Sequence, residues 1–283
     1  MADGALDTLT QPTARGSSPT LRVGLIGYGA IGRPLAEAVA AGRAGPVQVS
    51  AVLVREPSRY PAPPGGALLT ADPDAFLAAA GALVVEAGGH EALRQYGEAV
   101  LRSGRDLMVV SAGAFADDAL LQRLQDAARA TGRQILIPSG AIAALDVISA
   151  GAVGGLDEVT ITTRKPPAAW KGTAGEAQAL AATAPTLLYE GPARAGVALF
   201  PQNVNVAAAL ALAGVGLDAT RMRVYADPTV TRNTHEVLAR GAFGQVSFTL
   251  QNVPSENPKT GRIVAMSVLK ALRNRVAPLV VGL

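Results

Sequence analysis

The chain has 283 residues, 49% hydrophobic and 17% charged, which excludes a disordered or acidic-tail protein and suits about two domains at roughly 150 residues each. With no cysteine and only two histidines, His90 and His235, disulfides, thiol nucleophiles and cysteine-ligated zinc are excluded, and no metal site is expected. The 25 Lys and Arg exceed the 22 Asp and Glu by a net +3, but they are scattered and not interleaved with aromatics, so no nucleic-acid partner is expected.

Residues 1–20 are rich in Thr, Ser, Pro and Gly and read as a disordered tail. They lack the basic and apolar regions of a signal peptide. The longest apolar run, 204–217, is shorter than the roughly 18 residues a membrane span requires, so a soluble, cytoplasmic protein without a membrane partner is expected. Leu21–Ile26 then reads as a short buried strand, followed at once by Gly27-Tyr28-Gly29-Ala30-Ile31-Gly32 and a helix with Pro34 in its first turn. A strand at 47–54, a Pro- and Gly-rich loop at 61–66, and strands at 82–86, 106–111 and 134–138 alternate with helices at 91–103 and 116–131. This alternation predicts an α/β fold: a Rossmann-type, doubly wound, mostly parallel sheet over residues 21–138.

From 139 the pattern changes. A helix at 141–150, a strand at 158–164, a helix at 203–213 and strands at 222–226 and 244–250 predict a second α+β domain over 139–255 with a mixed or antiparallel sheet, in which the last two strands pair. A helix at 261–273, within a C-terminal segment 256–283, is expected to pack back on the first domain.

The glycine turn has a physical reading. Gly27 allows the tight turn, Gly29 lets the backbone approach a pyrophosphate, and Gly32 lets helix and strand pack closely; Ala30 and Ile31 present backbone at the helix N-terminus. At the tip of the second strand, Arg55 suits the 2′-phosphate of NADP and Glu56 the 2′-hydroxyl of NAD, so either cofactor fits. In the second domain, Arg164, Lys165 and Arg232 offer positive charge to a carboxylate substrate. His235 has the side chain best suited to moving a proton near neutral pH, whereas His90 reads as the start of a helix.

These residues resemble the L-aspartate dehydrogenase family. The likeness runs from Val23 to about Arg273 through VGLIGYGAIG, Ser111-Ala112-Gly113-Ala114, Ile137-Pro138-Ser139-Gly140-Ala141, TTRKPP, FPQNVNVAAALALAG and DPTVTRNTHEV. The resemblance implies an active-site role for His235 and nicotinamide-cofactor contacts at Ala141 and Asn205. The related dihydrodipicolinate reductases share the two-domain plan and a basic loop similar to Arg164-Lys165. The function implied by the resemblance is oxidation of L-aspartate to iminoaspartate by hydride transfer from Cα to NAD or NADP. The product would hydrolyse to oxaloacetate and ammonia or feed NAD synthesis. His235 would handle the amino proton or activate water, Arg164, Lys165 and Asn203 would hold the carboxylates, and the protein would be a homodimer. Arg55 stands where many relatives carry an acid. Two other readings stay open: a nicotinamide-dependent reductase of another small imine or amino-acid semialdehyde, and a non-catalytic dinucleotide-binding sensor.

Overall fold

A computed structural model describes residues 20–200, 205–253 and 261–282. The tail at 1–19 and Asn203 lie outside the described residues. Among those described, no helix is long and apolar enough to cross a membrane.

Strand β1 (Leu21–Ile26) leads through the glycine turn into α1 (Gly32–Ala40), and β2 (Val47–Leu53) follows. Next come β3 (Leu68–Thr70), α2 (Pro73–Ala79), β4 (Leu83–Glu86), α3 (His90–Arg102), β5 (Asp106–Val109), α4 (Asp118–Thr131) and β6 (Ile135–Leu136). The strands form one parallel sheet in the order β3-β2-β1-β4-β5-β6. Both faces are covered, so β4 and β5 are buried at every position. Sequence reading passes over β3 and α2. A strand of three residues has too few positions to show a period, although Asp72 caps α2 by accepting from the Asp74 and Ala75 amides ahead of Pro73.

The second sheet is built from β7 (Leu156–Lys165), β8 (Thr186–Pro192), β9 (Arg221–Ala226), β10 (Asn233–Gly241) and β11 (Gly244–Asn252), in the order β11-β10-β7-β9-β8. Only β7 and β9 are parallel, so the sheet is mixed. The segments 222–226 and 244–250 do not pair as expected, because β10 and β7 stand between β9 and β11. β10 opens on three buried polar residues, Asn233, Thr234 and His235, which hides its period-2 signal. The helix expected at 141–150 begins later, as α5 (Leu145–Gly154), after a turn in which Ala144 adopts φ 56°.

Helices α6 (Glu176–Leu180) and α7 (Ala193–Leu199) precede α8 (Asn205–Ala213). Residues 206–211 of α8 are all buried, four of them alanine, as expected of a helix that is apolar all round. The small side chains let it pack against the 112–116 turn, α5 and α7, in one hydrophobic cluster with Val159, Ile161, Met222, Val224 and Val237 of the sheet. The final helix, α9 (Ile263–Asn274), buries Val268 and Leu272 in the same cluster as Leu35 and Val39 of α1. Those two contacts contribute roughly 1.5–3 kcal/mol each.

Candidate active site

The order of the first sheet reverses between β1 and β4, and ligand crevices open at such switch points beyond the carboxyl ends of the strands. Here the crevice is a cleft of about 860 Å³, lined by the glycine turn, Arg55, Tyr60, the 87–96 segment, Ser111 and Asn205. Gly27 has φ 93°, and a side chain on it would press to 2.7 Å on the Gly88 backbone. A Cβ on Gly32 would fall 2.2 Å from the Gly27 carbonyl oxygen, whereas one on Gly29 would meet nothing within 4 Å. The turn therefore needs its first and third glycines for packing and leaves the space above the second open to a ligand. Bare backbone at a helix N-terminus and a cleft of this volume fit a dinucleotide. Tyr28, Ala30 and Ile31 also line the cleft.

Arg55 lines the cleft, while the Glu56 carboxylate is held by Arg59 at 2.6 Å. Sequence reasoning missed Glu86, a buried carboxylate at the end of β4. It accepts from the amides of Gly88, Gly89 and Ser111 and from the Ser111 hydroxyl. Burial nonetheless raises its pKa above the usual carboxylate value, with those four donors opposing the shift. Glu86 ties the ends of β4 and β5 together and shapes the turn that starts α3.

A second, smaller cavity of about 80 Å³ adjoins the cleft; Ile31, Val110 and Asn205 line both. Its polar lining includes Lys165, Asn233, His235 and Asn252. Strand alternation and register explain the grouping. His235 pairs with Thr163 across β10 and β7, and Lys165, two residues on from Thr163, shares its face. Asn233 lies two residues before His235 and opposite Asn252 of β11. His235 is 3% exposed, with Nδ1 3.1 Å from Thr163 Oγ1. Burial first, and the nearby Lys165 charge second, lower its pKa to about 3, so the resting imidazole is neutral. Lys165 is 1% exposed, and its ammonium sits 5.4 Å from the Trp170 ring centre.

The expected carboxylate-holding residues fall in different places. Lys165 lines the pocket. Arg164 projects from the opposite face of β7, 3.3 Å from Glu236 and 3.5 Å from Asp227, with its guanidinium 4.5 Å from the Tyr225 ring centre. Arg232 is exposed just before β10. Asn233 and Asn252 were not among the expected site residues, although Asn233 lies in the polar DPTVTRNTHEV segment and its spacing of two from His235 was a usable signal. Ala141 also lines the pocket. Its carbonyl accepts from Asn252 Nδ2 at 3.1 Å, and the preceding Gly140 amide donates to Ser267 Oγ of α9 at 3.0 Å. Among the described residues, no group of three or more His, Cys, Asp or Glu is placed to hold a metal ion.

Residues 27–138 match the family model described as homoserine dehydrogenase, NAD binding domain, and residues 146–275 match aspartate dehydrogenase, C-terminal. The L-aspartate dehydrogenase of Brucella anthropi is 41% identical over 91% of this chain and 97% of its own length. L-aspartate dehydrogenase 2 of Bordetella bronchiseptica is 42% identical over 93% and 100% respectively. The crystal structure of aspartate dehydrogenase from Thermotoga maritima superposes with a TM-score of 0.75 at 26% identity, covering 93% of this chain and 99% of that one. A dinucleotide cleft opening onto a histidine pocket, with likeness running nearly end to end through both halves, leads to one assignment: the chain belongs to the L-aspartate dehydrogenase family.

Proposed function

We propose that the protein oxidises L-aspartate to iminoaspartate. The observation that carries this reading is a neutral, buried imidazole beside a buried ammonium, in a pocket joined to a dinucleotide cleft. A nicotinamide dinucleotide, when bound, supplies the hydride acceptor. Lys165 offers its charge to a substrate carboxylate, and the amides of Asn233 and Asn252 add neutral hydrogen bonds around it. With Nδ1–H donating to Thr163 Oγ1, His235 keeps a lone pair on Nε2 for the pocket. Nε2 takes one proton from the α-ammonium, and the freed nitrogen lone pair forms the C=N bond as hydride leaves Cα. The iminium product keeps the positive charge and His235 holds the released proton. A bound dicarboxylate offsets the Lys165 charge that disfavours imidazolium, moving the histidine towards the range a general base needs.

Both NAD and NADP belong to this reading. Arg55 lines the cleft, and Glu56, the residue that would select a free 2′-hydroxyl, is engaged by Arg59. Aspartate-dependent reduction followed at the NADH absorbance, with each cofactor in turn, tests substrate and cofactor together. His235→Ala should lower kcat by about 10²–10⁴-fold while cofactor still binds. Arg55→Ala should lower kcat/KM for NADP by about tenfold or more and that for NAD far less. Absence of turnover with L-aspartate, and with oxaloacetate plus ammonia in reverse, would overturn the reading; turnover of another imine instead would reassign the substrate.

A further inference from the structure

We infer that His90 is a positioning residue: it holds the side-chain amide of Asn205 so that its NH2 group faces the nicotinamide end of the bound dinucleotide. The inference rests on the proposed dehydrogenase activity, since hydride transfer requires that end of the cofactor to sit where cleft and pocket meet.

Three groups converge at this point from distant parts of the chain. Asn205, the first residue of α8, has Oδ1 3.0 Å from the backbone nitrogen of Gly113 and 3.0 Å from Nε2 of His90. A backbone N–H only donates, so the Asn205 atom facing it is the oxygen. The same oxygen faces His90, so Nε2 must carry a hydrogen, in either the neutral Nε2–H form or the imidazolium. Two donors then occupy the two lone pairs of Oδ1, and the NH2 group presents its hydrogens elsewhere. Asn205 lines both cavities, which makes that amide a donor for a carbonyl oxygen such as the one in the nicotinamide carboxamide.

Gly113 leaves the room that the clamp occupies. A Cβ on Gly113 would stand 2.5 Å from Asn205 Oδ1 and 2.9 Å from His90 Nε2. His90 is itself placed by its neighbours. It opens α3 directly after Gly88 and Gly89, whose amides are bound by the Glu86 carboxylate.

Titration of the substrate-free enzyme with NADH and with ADP-ribose, which lacks the nicotinamide, separates positioning from a general effect on the cleft. His90→Leu should weaken NADH binding by about three- to tenfold, the loss expected for one neutral hydrogen bond, and leave ADP-ribose unchanged. His90→Gln, which restores a donor at the same reach, should recover most of the affinity. In an Asn205→Ala background, His90→Leu should cost nothing further. Equal weakening of NADH and ADP-ribose, failure of the Gln variant to recover, or additive losses in the double variant would each overturn the inference. If Asn205→Ala alone leaves NADH affinity intact, the inference falls together with the cofactor placement beneath it, while aspartate turnover reports separately on the activity. Should His90→Leu lose its cooperative melt, His90→Met carries the same comparison.

Discussion

His235 and Lys165 are both buried in the wall of one pocket, and the arrangement costs stability whenever the imidazole is protonated. The folded pKa of about 3 lies below the ordinary 6.5. Between those values the unfolded chain binds more protons than the folded one, so stability rises with pH through this window and levels off above it. The maximum slope for one group is about 1.4 kcal/mol per pH unit. Lowering the pH from 7 to 5 should therefore cost the protein about 1–2 kcal/mol more than it costs His235→Gln, which has no proton to gain. Urea unfolding of both proteins at the two pH values measures the difference, and an identical loss in the variant would show that His235 does not drive it.

At the scale of elements, the site depends on which face a strand turns inward. Lys165 and Arg164 are sequence neighbours, yet alternation sends one into the pocket and the other to the acids on the far side. Read as composition, the two cations were equivalent, and only register separates them. Apart from β3 and α2, the strands and helices of the first sheet were legible because their apolar runs are uninterrupted. The 233–241 strand was not, because a strand that opens on three buried polar residues, with Asn233 and His235 turned to a pocket, reads as a polar loop. Helix α9 shows a different dependence. Its buried Ser267 hydroxyl accepts the Gly140 amide beside Ala141, so Ser267→Ala leaves that amide without its acceptor. A loss of about 1 kcal/mol is expected, seen as a lower urea midpoint with unchanged slope; an unchanged midpoint would mean that water replaces the hydroxyl.

For the molecule as a whole, the dinucleotide turn was legible because its residues are adjacent, whereas the contact between His90 and Asn205 joins positions 115 apart, which no local pattern announces. Cofactor should stabilise the whole fold by mass action. At about a hundredfold excess over its dissociation constant it adds roughly 2.7 kcal/mol, or about 5 °C in Tm for a chain of this size. A thermal melt with and without NADH reads this directly, and an unmoved Tm at saturating ligand would count against binding to the native state. Gly261 and Val264, at the start of α9, form part of the pocket wall, and the same helix goes on to bury Val268 and Leu272 with α1. A ribosome delivers α9 after both sheets have emerged, and domains generally begin to fold in the order they are made. Nascent chains can thus assemble the dinucleotide turn early but cannot close the histidine pocket until α9 has emerged, so the capacity to bind cofactor precedes the completed active site during synthesis.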